Sequence, residues 1–183
     1  MTKLITVVIA TYNCELTLSK CLDSIVAQKC ELVELIIVDG DSTDRTLEIL
    51  KRYESNVDSL VSETDEGIYD AWNKGLSLAE GSWIMFVGSD DELRPDCIKR
   101  YKQQIEVDSD YDYISGRIML INEMGDELRE FGQSYDWDVF KTRMSLAHVS
   151  SLHNRRLYEI YGRYDIGYKI CGDYELLLRP KEN

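Results

Sequence analysis

Several residue patterns that define common protein classes are missing from this sequence. We find no internal repeat, low-complexity tract or linker, and 183 residues suffice for one domain with a single core. The cysteines form no C-x-x-C pair, which indicates reduced thiols in a cytoplasmic protein rather than a disulfide framework. They are Cys14, Cys21, Cys30, Cys97 and Cys171.

Basic residues are in deficit. Lys and Arg number 21 against 34 Asp and Glu, and the formal net charge is −13. A broad nucleic-acid-binding surface requires the opposite balance, so we expect no nucleic-acid partner. An anionic ligand is still allowed where a bound cation or backbone N–H groups reverse the local field.

Long hydrophobic runs are also absent. The longest, residues 4–10 and 83–87, are far too short to cross a bilayer. No basic segment followed by a long apolar stretch marks a secretory signal. We therefore expect a cytoplasmic protein without a transmembrane segment, and association with the inner face of the membrane stays open as an alternative location.

Motifs of fixed spacing for metals and nucleotides are missing as well. The two histidines, His148 and His153, lie five residues apart, which is a poor spacing for one helix face. No H-E-x-x-H or Cys-His zinc spacing occurs, so we expect no zinc site. The absence of G-x-G-x-x-G and of a P-loop argues against dinucleotide and Walker-type phosphate binding.

The sequence does contain an alternation of strand and helix patterns. Each apolar strand pattern is followed by apolar residues at helical spacing. Strands separated by helices predict a parallel sheet covered on both faces. The strand candidates are residues 4–10, 32–38, 57–62 and 82–88.

The expected helix boundaries follow from capping and breaking residues. Ser42 and Thr43 are predicted to open the second helix. Gly81 is predicted to close a helix over residues 68–81, and Pro95 to occupy the first position of the next helix. In the second half of the chain we expect a β-hairpin from 111–121 and 127–131, and short helices at 151–161 and 172–179.

Carboxylates follow two of the predicted strands. Asp39 comes directly after strand 32–38, and Asp90 and Asp91 come directly after strand 82–88. In parallel sheets, ligands bind outside the carboxyl ends of the strands, where the strand order reverses. Because Mg²⁺ and Mn²⁺ take one or two carboxylates together with phosphate oxygens, Asp90 and Asp91 predict a cation site. The alternative interpretation is a pair of solvated turn residues.

The acidic clusters also allow two other interpretations. The stretch 39–43, DGDST, resembles the Asp-x-Asp-x-Thr nucleophile loop of magnesium-dependent haloacid-dehalogenase-type phosphatases, with GSDDE as their acidic magnesium motif. Against this, Asp44 stands where that family usually carries an apolar residue, and a whole strand–helix unit precedes the loop. The other interpretation is a catalytically degenerate binding module.

Four blocks occur in order along the chain: VVIATYN, LIIVDGDSTDRT, EGIYDAWNKGLSLAEGSWIMFVGSDDEL and CGDYELLLR. Together they closely resemble the inverting nucleotide-sugar glycosyltransferases of family 2, most densely through residues 4–95. The resemblance implies an α/β, Rossmann-like GT-A fold with a mixed, mostly parallel central sheet flanked by helices. It implies one domain over residues 1–183, in which 1–95 bind the nucleotide sugar and 96–183 face the acceptor and are truncated at the C-terminus.

The same resemblance assigns roles on the donor side. Ala10, Thr11 and Tyr12 match the pocket for the nucleotide base. Asp39 matches the acid that accepts a hydrogen bond from the imide N–H of the base.

Later positions match the diphosphate and sugar subsites. Gly67, Asn73 and Lys74 match the loop and helix segment that approach the diphosphate and the sugar. Ser89 and Asp90 begin the Asp-x-Asp-type motif, in which Asp90 contacts the ribose region.

The remaining matches concern the metal and the acceptor. Asp91 is implied to hold the divalent metal, Mn²⁺ or Mg²⁺. Asp173 matches the catalytic base, with a helix N-cap as the alternative role. His148 falls where relatives that act on carbohydrate acceptors often have His, which implies an acceptor contact.

The implied reaction moves a sugar from a nucleoside diphosphate sugar, with a UDP-sugar favoured, to an acceptor hydroxyl. The anomeric carbon is inverted in this reaction. The implied acceptor is a saccharide or a lipid-linked saccharide, and hexosyl or N-acetylhexosaminyl transfer in polysaccharide or glycoconjugate assembly is the expected setting.

Overall fold

The computed structural model describes residues 2–107 and 110–182, which form a six-stranded sheet flanked by helices and a separate two-stranded hairpin. The strands are β1 (Ile5–Thr11), β2 (Val33–Asp39), β3 (Ser59–Ser62), β4 (Trp83–Gly88), β5 (Tyr113–Ser115), β6 (Ile118–Ile121), β7 (Glu127–Phe131) and β8 (Ser151–Asn154). The helices are α1 (Leu18–Val26), α2 (Thr46–Arg52), α3 (Ile68–Leu78), α4 (Cys97–Val107), α5 (Trp137–Phe140), α6 (Arg155–Tyr161) and α7 (Gly172–Glu182). Short 3₁₀ helices lie at Glu54–Asn56 and His148–Ser150.

The strand order in the large sheet is β3-β2-β1-β4-β8-β5. Strands β1 to β4 pair in parallel, and β8 pairs antiparallel with both β4 and β5. The predicted mixed, mostly parallel α/β fold is therefore confirmed. The chain runs outward from β1 to β3 and then returns to the other side of β1 with β4. The carboxyl ends of β1, β2 and β4 thus lie at the reversal of strand order, where open α/β sheets bind ligands.

Apolar side chains fill a core on each face of the sheet. On one face, Ile5, Val7 and Ile9 of β1 lie in a cluster with residues of α1, α2 and α4. On the other face, Val8 of β1 lies in a cluster with residues of α3, α6 and α7. Successive residues of a strand point to opposite faces. This two-sided burial explains why the parallel strands read as continuous apolar runs.

Two predicted helix starts are wrong. Helix α2 begins at Thr46, and Ser42 bonds Asp39 rather than capping the helix. Helix α4 begins at Cys97 and not at Pro95, because Asp96 between them adopts a left-handed conformation with φ of 63°. Left-handed backbone cannot belong to an α-helix, so Pro95 lies in the preceding turn.

The predicted helix end at Gly81 is also wrong. Helix α3 stops at Leu78, three residues before Gly81. Gly81 instead lies against β1, where its N–H donates to Thr6 Oγ1 over 2.9 Å. A Cβ at this position would lie 2.6 Å from the backbone nitrogen of Thr6. The glycine is therefore required for close packing of the chain on β1.

The second half of the chain differs most from the prediction. Residues 151–154 form strand β8, between β4 and β5, rather than the start of a helix, and only 155–161 are helical. The hairpin is confirmed as β6–β7, but β5 leaves it and joins the large sheet beside β8. The expectation of truncation after α7 concerns the chain beyond residue 182, outside the described residues.

No helix among the described residues is both long and apolar enough to cross a membrane.

Candidate active site

The candidate site lies where the carboxyl ends of β1, β2 and β4 meet. Thr11 at the end of β1 pairs with Asp39 at the end of β2, and Ala10 pairs with Gly88 at the end of β4. The parallel register therefore brings the first acidic cluster, the turn after β1 and the second acidic cluster to one edge of the sheet. This juxtaposition agrees with the expectation from the strand pattern.

Asp39 is completely buried and accepts four hydrogen bonds from neighbouring groups. Its Oδ1 accepts from Thr11 Oγ1 (3.0 Å) and Ser42 Oγ (2.6 Å). Its Oδ2 accepts from the Ser42 N–H (3.0 Å) and Ser62 Oγ (2.9 Å). A buried carboxylate needs such donors because its charge has lost contact with water. Asp39 therefore ties together the ends of three strands, and its contact with a nucleotide base stays a prediction.

The turn after β1 presents an aromatic side chain at this edge. Tyr12 is 66% exposed, directly after Thr11. Asn13 adopts a left-handed conformation with φ of 48°, and its Oδ1 accepts from the Thr43 N–H over 2.8 Å. The amide thus fixes the turn against the loop after β2. Tyr12 is left free to face a planar ligand.

The second acidic cluster folds back over Gly88. Asp91 Oδ2 accepts from the Gly88 N–H over 3.0 Å. A Cβ at Gly88 would lie 2.7 Å from Asp91 Oδ2 and 2.9 Å from Asp90 Oδ1, so the two carboxylates converge on this glycine. Partial burial, and next the nearby charge of Asp90, raise the pKa of Asp91. The charge of Asp90 thus disfavours ionisation of Asp91, and a bound cation would offset this effect.

The acidic pair fits a hard divalent cation that also binds a ligand. Carboxylate oxygens suit Mg²⁺ and Mn²⁺. Within residues 2–107 and 110–182, no group of three or more His, Cys, Asp or Glu side chains is arranged to hold a metal ion. A cation at Asp90 and Asp91 would therefore complete its shell with water and ligand oxygens, as Mg²⁺ commonly does with substrate phosphates.

The loop between β3 and α3 lies beside the end of β2. Gly67 has φ of 120°, outside the range that other residues adopt easily, and it directly precedes α3. Lys74 Nζ contacts the carbonyl of Thr64 (2.9 Å) and carboxylates of Glu63 (2.9 Å) and Asp70 (3.4 Å). Lys74 therefore stabilises this loop. Contacts of Gly67 and Lys74 with a nucleotide-sugar donor stay predictions.

Asn73 is the other residue of α3 that is predicted to contact the nucleotide-sugar donor. In the structure it forms hydrogen bonds with the second half of the chain. Its Nδ2 donates to the carbonyl of Tyr164 (2.8 Å), and its Oδ1 accepts from the Tyr164 N–H (3.1 Å). Both polar atoms of the amide are thus used to join α3 to the segment before α7. A role toward the sugar stays a prediction for this residue.

Asp173 lies in the first turn of α7 and is linked to α3 through Tyr69. The Tyr69 hydroxyl donates to Asp173 Oδ1 over 3.2 Å and accepts from the Gly172 N–H over 2.8 Å. Gly172 packs directly on the ring, since a Cβ there would lie 2.8 Å from Tyr69 Cε2. Asp173 follows the helix start at Gly172, so it is not the residue that precedes the helix as an N-cap does. The sequence block that contains Gly172 and Asp173 therefore contacts α3, the helix that follows the β3–α3 loop.

His148 lies in a buried aromatic cluster next to this region. Its ring stacks on Trp72 at 4.8 Å, and its Nε2 lies 3.0 Å from the Tyr164 hydroxyl. Burial lowers the pKa of His148 to about 4, so the ring is neutral at pH 7. His148 Nδ1 has no hydrogen-bond partner among the described residues. An acceptor contact of this enclosed ring stays a prediction.

The sequence patterns did not predict the series of hydrogen bonds inside that cluster. The Tyr164 hydroxyl lies 3.1 Å from the Tyr158 hydroxyl, which lies 2.7 Å from His153 Nδ1. His153 belongs to β8 and Tyr158 to α6. Two rings of this hydrogen-bonded series, His153 and Tyr164, pack against Phe86 of β4 and so attach the second half of the molecule to the sheet.

Comparison with known proteins identifies relatives over most of the chain. Residues 6–165 match the family described as Glycosyl transferase family 2. The PGL/p-HBAD biosynthesis glycosyltransferase of Mycobacterium bovis is 32% identical over 181 residues, which cover 97% of this chain and 69% of that protein. Glycosyltransferase GlyA of Streptococcus pneumoniae is 31% identical over 184 residues, which cover 89% of this chain and 26% of that protein.

Solved structures share the fold. The structure of S. aureus TarS 1-349 in complex with UDP superposes with a TM-score of 0.78 at 22% identity and covers 96% of this chain. The mannosyltransferase PcManGT from Pyrobaculum calidifontis, in complex with GDP-Man and Mn²⁺, has a TM-score of 0.66 at 20% identity and covers 88% of this chain. The chain spans 54% and 47% of the lengths of these two chains.

These similarities decide between the enzyme classes that the acidic motifs allow. The phosphatase interpretation needs Asp39 or Asp41 as a nucleophile, but Asp39 is enclosed by four donors. The matched family and the curated relatives are glycosyltransferases instead. The expected GT-A architecture is present in the sheet order and the acidic edge. The chain belongs to glycosyl transferase family 2.

Proposed function

We propose that the protein transfers a sugar, with inversion, from a nucleoside diphosphate sugar to an acceptor hydroxyl. The observation that carries this proposal is the convergence of Asp90 and Asp91 on Gly88 at the sheet edge. A separate carboxylate, Asp173, is held through Tyr69 at the start of α3, the helix that follows the β3–α3 loop. A cation-binding acidic pair and a distinct base are the two elements that inverting transfer requires.

Asp173 is the proposed general base. Its Oδ1 is held by Tyr69, and within the described part of the chain its Oδ2 has no hydrogen-bond partner. Oδ2 is therefore available to accept the proton of the acceptor hydroxyl as the new glycosidic bond forms. A positioned base of this kind typically contributes about 10²–10⁴-fold to the rate.

Asp91, with Asp90 beside it, is the proposed ligand set for Mn²⁺ or Mg²⁺. When bound, the ion neutralises negative charge that develops on the departing diphosphate. The two carboxylates would hold the ion next to Gly88, where the backbone N–H fixes the orientation of Asp91. Tyr12 offers an exposed ring on which the nucleotide base can stack.

The similarities support some of the finer features of this proposal. TarS is described in complex with UDP and with UDP-GlcNAc, and PcManGT with GDP-Man and Mn²⁺. We propose a UDP-sugar as the donor here, with a hexosyl or N-acetylhexosaminyl group transferred. We further propose a saccharide or lipid-linked saccharide acceptor, glycoconjugate assembly as the setting, and a cytoplasmic location at or near the membrane.

A nucleotide panel tests the donor proposal. We expect UDP to raise the melting temperature with Mn²⁺ present and much less with EDTA, because the cation bridges acidic residues and diphosphate. Ligand at about 100 times its Kd adds roughly 2.7 kcal/mol to the stability of the folded state. Thermal denaturation with each nucleoside diphosphate, with and without Mn²⁺, measures the effect. Absence of nucleotide binding, together with beryllofluoride trapped at Asp39 or Asp41, would support a phosphatase instead.

Replacing Tyr69 tests how Asp173 is held. Burial, and next the charge of Asp173, raise the pKa of Tyr69, so its hydroxyl keeps its proton and stays a donor at neutral pH. We expect Tyr69→Phe to lower kcat by about 10-fold, the lower end of the usual contribution of a hydrogen bond to a charged group. Donor affinity should not change, because the ring still packs on Gly172.

Tyr174→Phe is the matched control for this experiment. Tyr174 lies next to Asp173 and also donates a hydrogen bond, but to the carbonyl of Phe140. Loss of that bond should leave kcat near the parent value. Equal losses of kcat in both variants would show that the link from Tyr69 has no particular role in the reaction.

A further inference from the structure

Arginine side chains line two neighbouring clefts beside the β6–β7 hairpin. One cleft, of about 640 Å³, lies between α4 and the connection from β5 to β6. The other, of about 690 Å³, lies between the end of β7 and residues 143–145. In the part of the chain that the structure describes, Glu130 is the one acidic residue of either lining. The arginines are Arg94, Arg100 and Arg117 in the first cleft and Arg117, Arg129 and Arg143 in the second.

The side chains of three of these arginines are available to a ligand. Arg100, Arg129 and Arg143 are exposed, and over residues 2–107 and 110–182 their guanidinium groups make no hydrogen bond or ion pair. A guanidinium presents a planar fork of N–H donors that matches the oxygens of phosphate and carboxylate groups. The formal net charge of the whole chain is −13, so the clefts differ in sign from the protein that surrounds them. They therefore suit an anionic ligand.

The other two arginines pair with carboxylates at the surface. Arg117 contacts Glu130 over 3.0 Å, and Arg94 contacts Glu127. All four of these side chains are more than half exposed. Ion pairs in contact with water contribute little to stability, so an anionic group of a ligand can replace either carboxylate at small cost. Arg94 and Arg117 are therefore also able to contact a ligand.

Two glycines bring the walls of the clefts together. Gly132 lines the second cleft with φ of 115°, and a Cβ there would lie 2.8 Å from the carbonyl oxygen of Gly116 in the first cleft. A Cβ at Gly116 would itself lie 2.6 Å from the Tyr101 hydroxyl oxygen. Backbone thus packs directly on backbone between the clefts. Because Arg117 and Glu130 line both clefts, the two form one groove, which we call the arginine groove.

The arginine groove also reaches the acidic edge of the sheet. A smaller cavity of about 320 Å³ shares Arg94 and Arg117 with the groove and is lined by Asp90 and Asp91 as well. A long ligand in the groove can therefore extend to the proposed cation site. Each cleft alone has the volume of a pocket for one small ligand, so the groove has room for several units of a chain.

We propose that the arginine groove binds a polyanionic acceptor, a saccharide chain that carries phosphate or carboxylate groups along its length. This inference rests on the proposed function, because it names the class of acceptor for the same reaction. The diphosphate of the donor is assigned to the cation at Asp90 and Asp91, which leaves the arginines for the acceptor. An anionic bilayer fits less well, since the arginines lie in clefts and the acidic remainder of the protein would be repelled.

Short inorganic polyphosphate tests this proposal, because it is a linear polyanion that carries no base and no lipid. Titration with EDTA present prevents binding through a cation at Asp90 and Asp91. We expect the parent to bind polyphosphate more tightly than inorganic phosphate, since several guanidinium groups act on one chain. The double substitution Arg100→Gln and Arg129→Gln removes one arginine from each cleft. It should weaken polyphosphate binding by at least about 10-fold and make it less sensitive to salt.

The double substitution Lys51→Gln and Arg52→Gln is the matched control, since it removes two exposed cations from α2. It should keep the parent affinity for polyphosphate. Equal losses in the two double variants would show a response to net charge alone and would overturn the proposal. Equal affinity of the parent for phosphate and polyphosphate would also overturn it, because a groove for a chain favours the longer anion.

Two further measurements separate this inference from its alternatives. If Arg100→Gln with Arg129→Gln loses binding to vesicles of anionic phospholipid but keeps its affinity for polyphosphate, the arginines form a membrane surface and the proposal is wrong. UDP binding with Mn²⁺, measured without polyphosphate, should match the parent in both double variants. A parent that binds no UDP would overturn the proposed function. A parent that binds UDP but not polyphosphate would overturn only the arginine groove.

Discussion

Asp173→Asn is expected to abolish most sugar transfer while leaving the donor site intact. Asn keeps an oxygen that accepts from Tyr69, so the local structure is preserved, but the amide cannot take up a proton. We expect kcat to fall by at least about 100-fold, the lower end of the usual contribution of a general base. The Kd for UDP with Mn²⁺ should stay near the parent value, because the role proposed for Asp173 concerns the acceptor and not the nucleotide.

Asp138→Asn controls for the charge at a helix start. Asp138 lies in the first turn of α5, as Asp173 lies in the first turn of α7, and it pairs with Lys141 on the surface. Both substitutions remove a favourable interaction with the helix dipole. Only Asp173→Asn should affect transfer, measured as release of UDP in the presence of acceptor. Full transfer activity in Asp173→Asn would exclude Asp173 as the base.

The acidic edge of the sheet could be predicted from the sequence because burial of a strand on both faces leaves a strong signal. Strands β1, β2 and β4 are covered on both faces, so each is a nearly continuous apolar run that stops at the sheet edge. A carboxylate directly after such a run, as at Asp39 or Asp90, must lie at that edge. The convergence of the acidic residues therefore followed from strand ends alone.

Strand β8 could not be predicted because its stabilisation comes from distant partners. Its sequence, SLHN, contains one apolar residue, yet its first three residues are buried. Ser151 Oγ donates to the carbonyl of Ala147 and accepts from Tyr113, and His153 bonds Tyr158. These partners make polar residues acceptable in the middle of a sheet. Periodicity measures apolar spacing and does not register such pairs.

The division of roles among the acids was equally hidden. Asp39 and Asp91 both lie at the end of a buried strand, but Asp39 accepts from four donors whereas Asp91 accepts from the Gly88 N–H. The link from Tyr69 to Asp173 joins residues 104 positions apart. Such hydrogen bonds depend on residues that are far apart in the sequence and meet only in the folded structure. Sequence patterns therefore predicted which strand ends meet better than they predicted the contacts of the individual acidic residues.

Asp91→Asn is expected to weaken ligand binding without lowering the stability of the folded protein. Burial and the charge of Asp90 raise the pKa of Asp91 above its ordinary value, so the ionised carboxylate disfavours the folded state at neutral pH. Asn relieves this repulsion and keeps an oxygen for the Gly88 N–H. We expect the melting temperature without ligand to stay the same or rise. Binding of UDP with Mn²⁺ should weaken by at least about 100-fold, because the amide replaces a charged metal ligand.

Glu92→Gln provides the comparison, since this neighbouring acid is exposed and does not fold over Gly88. It removes the same charge one residue further along and should leave Mn²⁺-dependent UDP binding nearly unchanged. Calorimetric titration of UDP with Mn²⁺ and with EDTA compares both variants and the parent. If Asp91→Asn binds UDP as the parent does, with the same dependence on Mn²⁺, then Asp90 and Asp91 form a solvated turn and hold no cation. A loss confined to Asp91→Asn instead places the cation at the end of β4, because of these two carboxylates only that of Asp91 converges on Gly88.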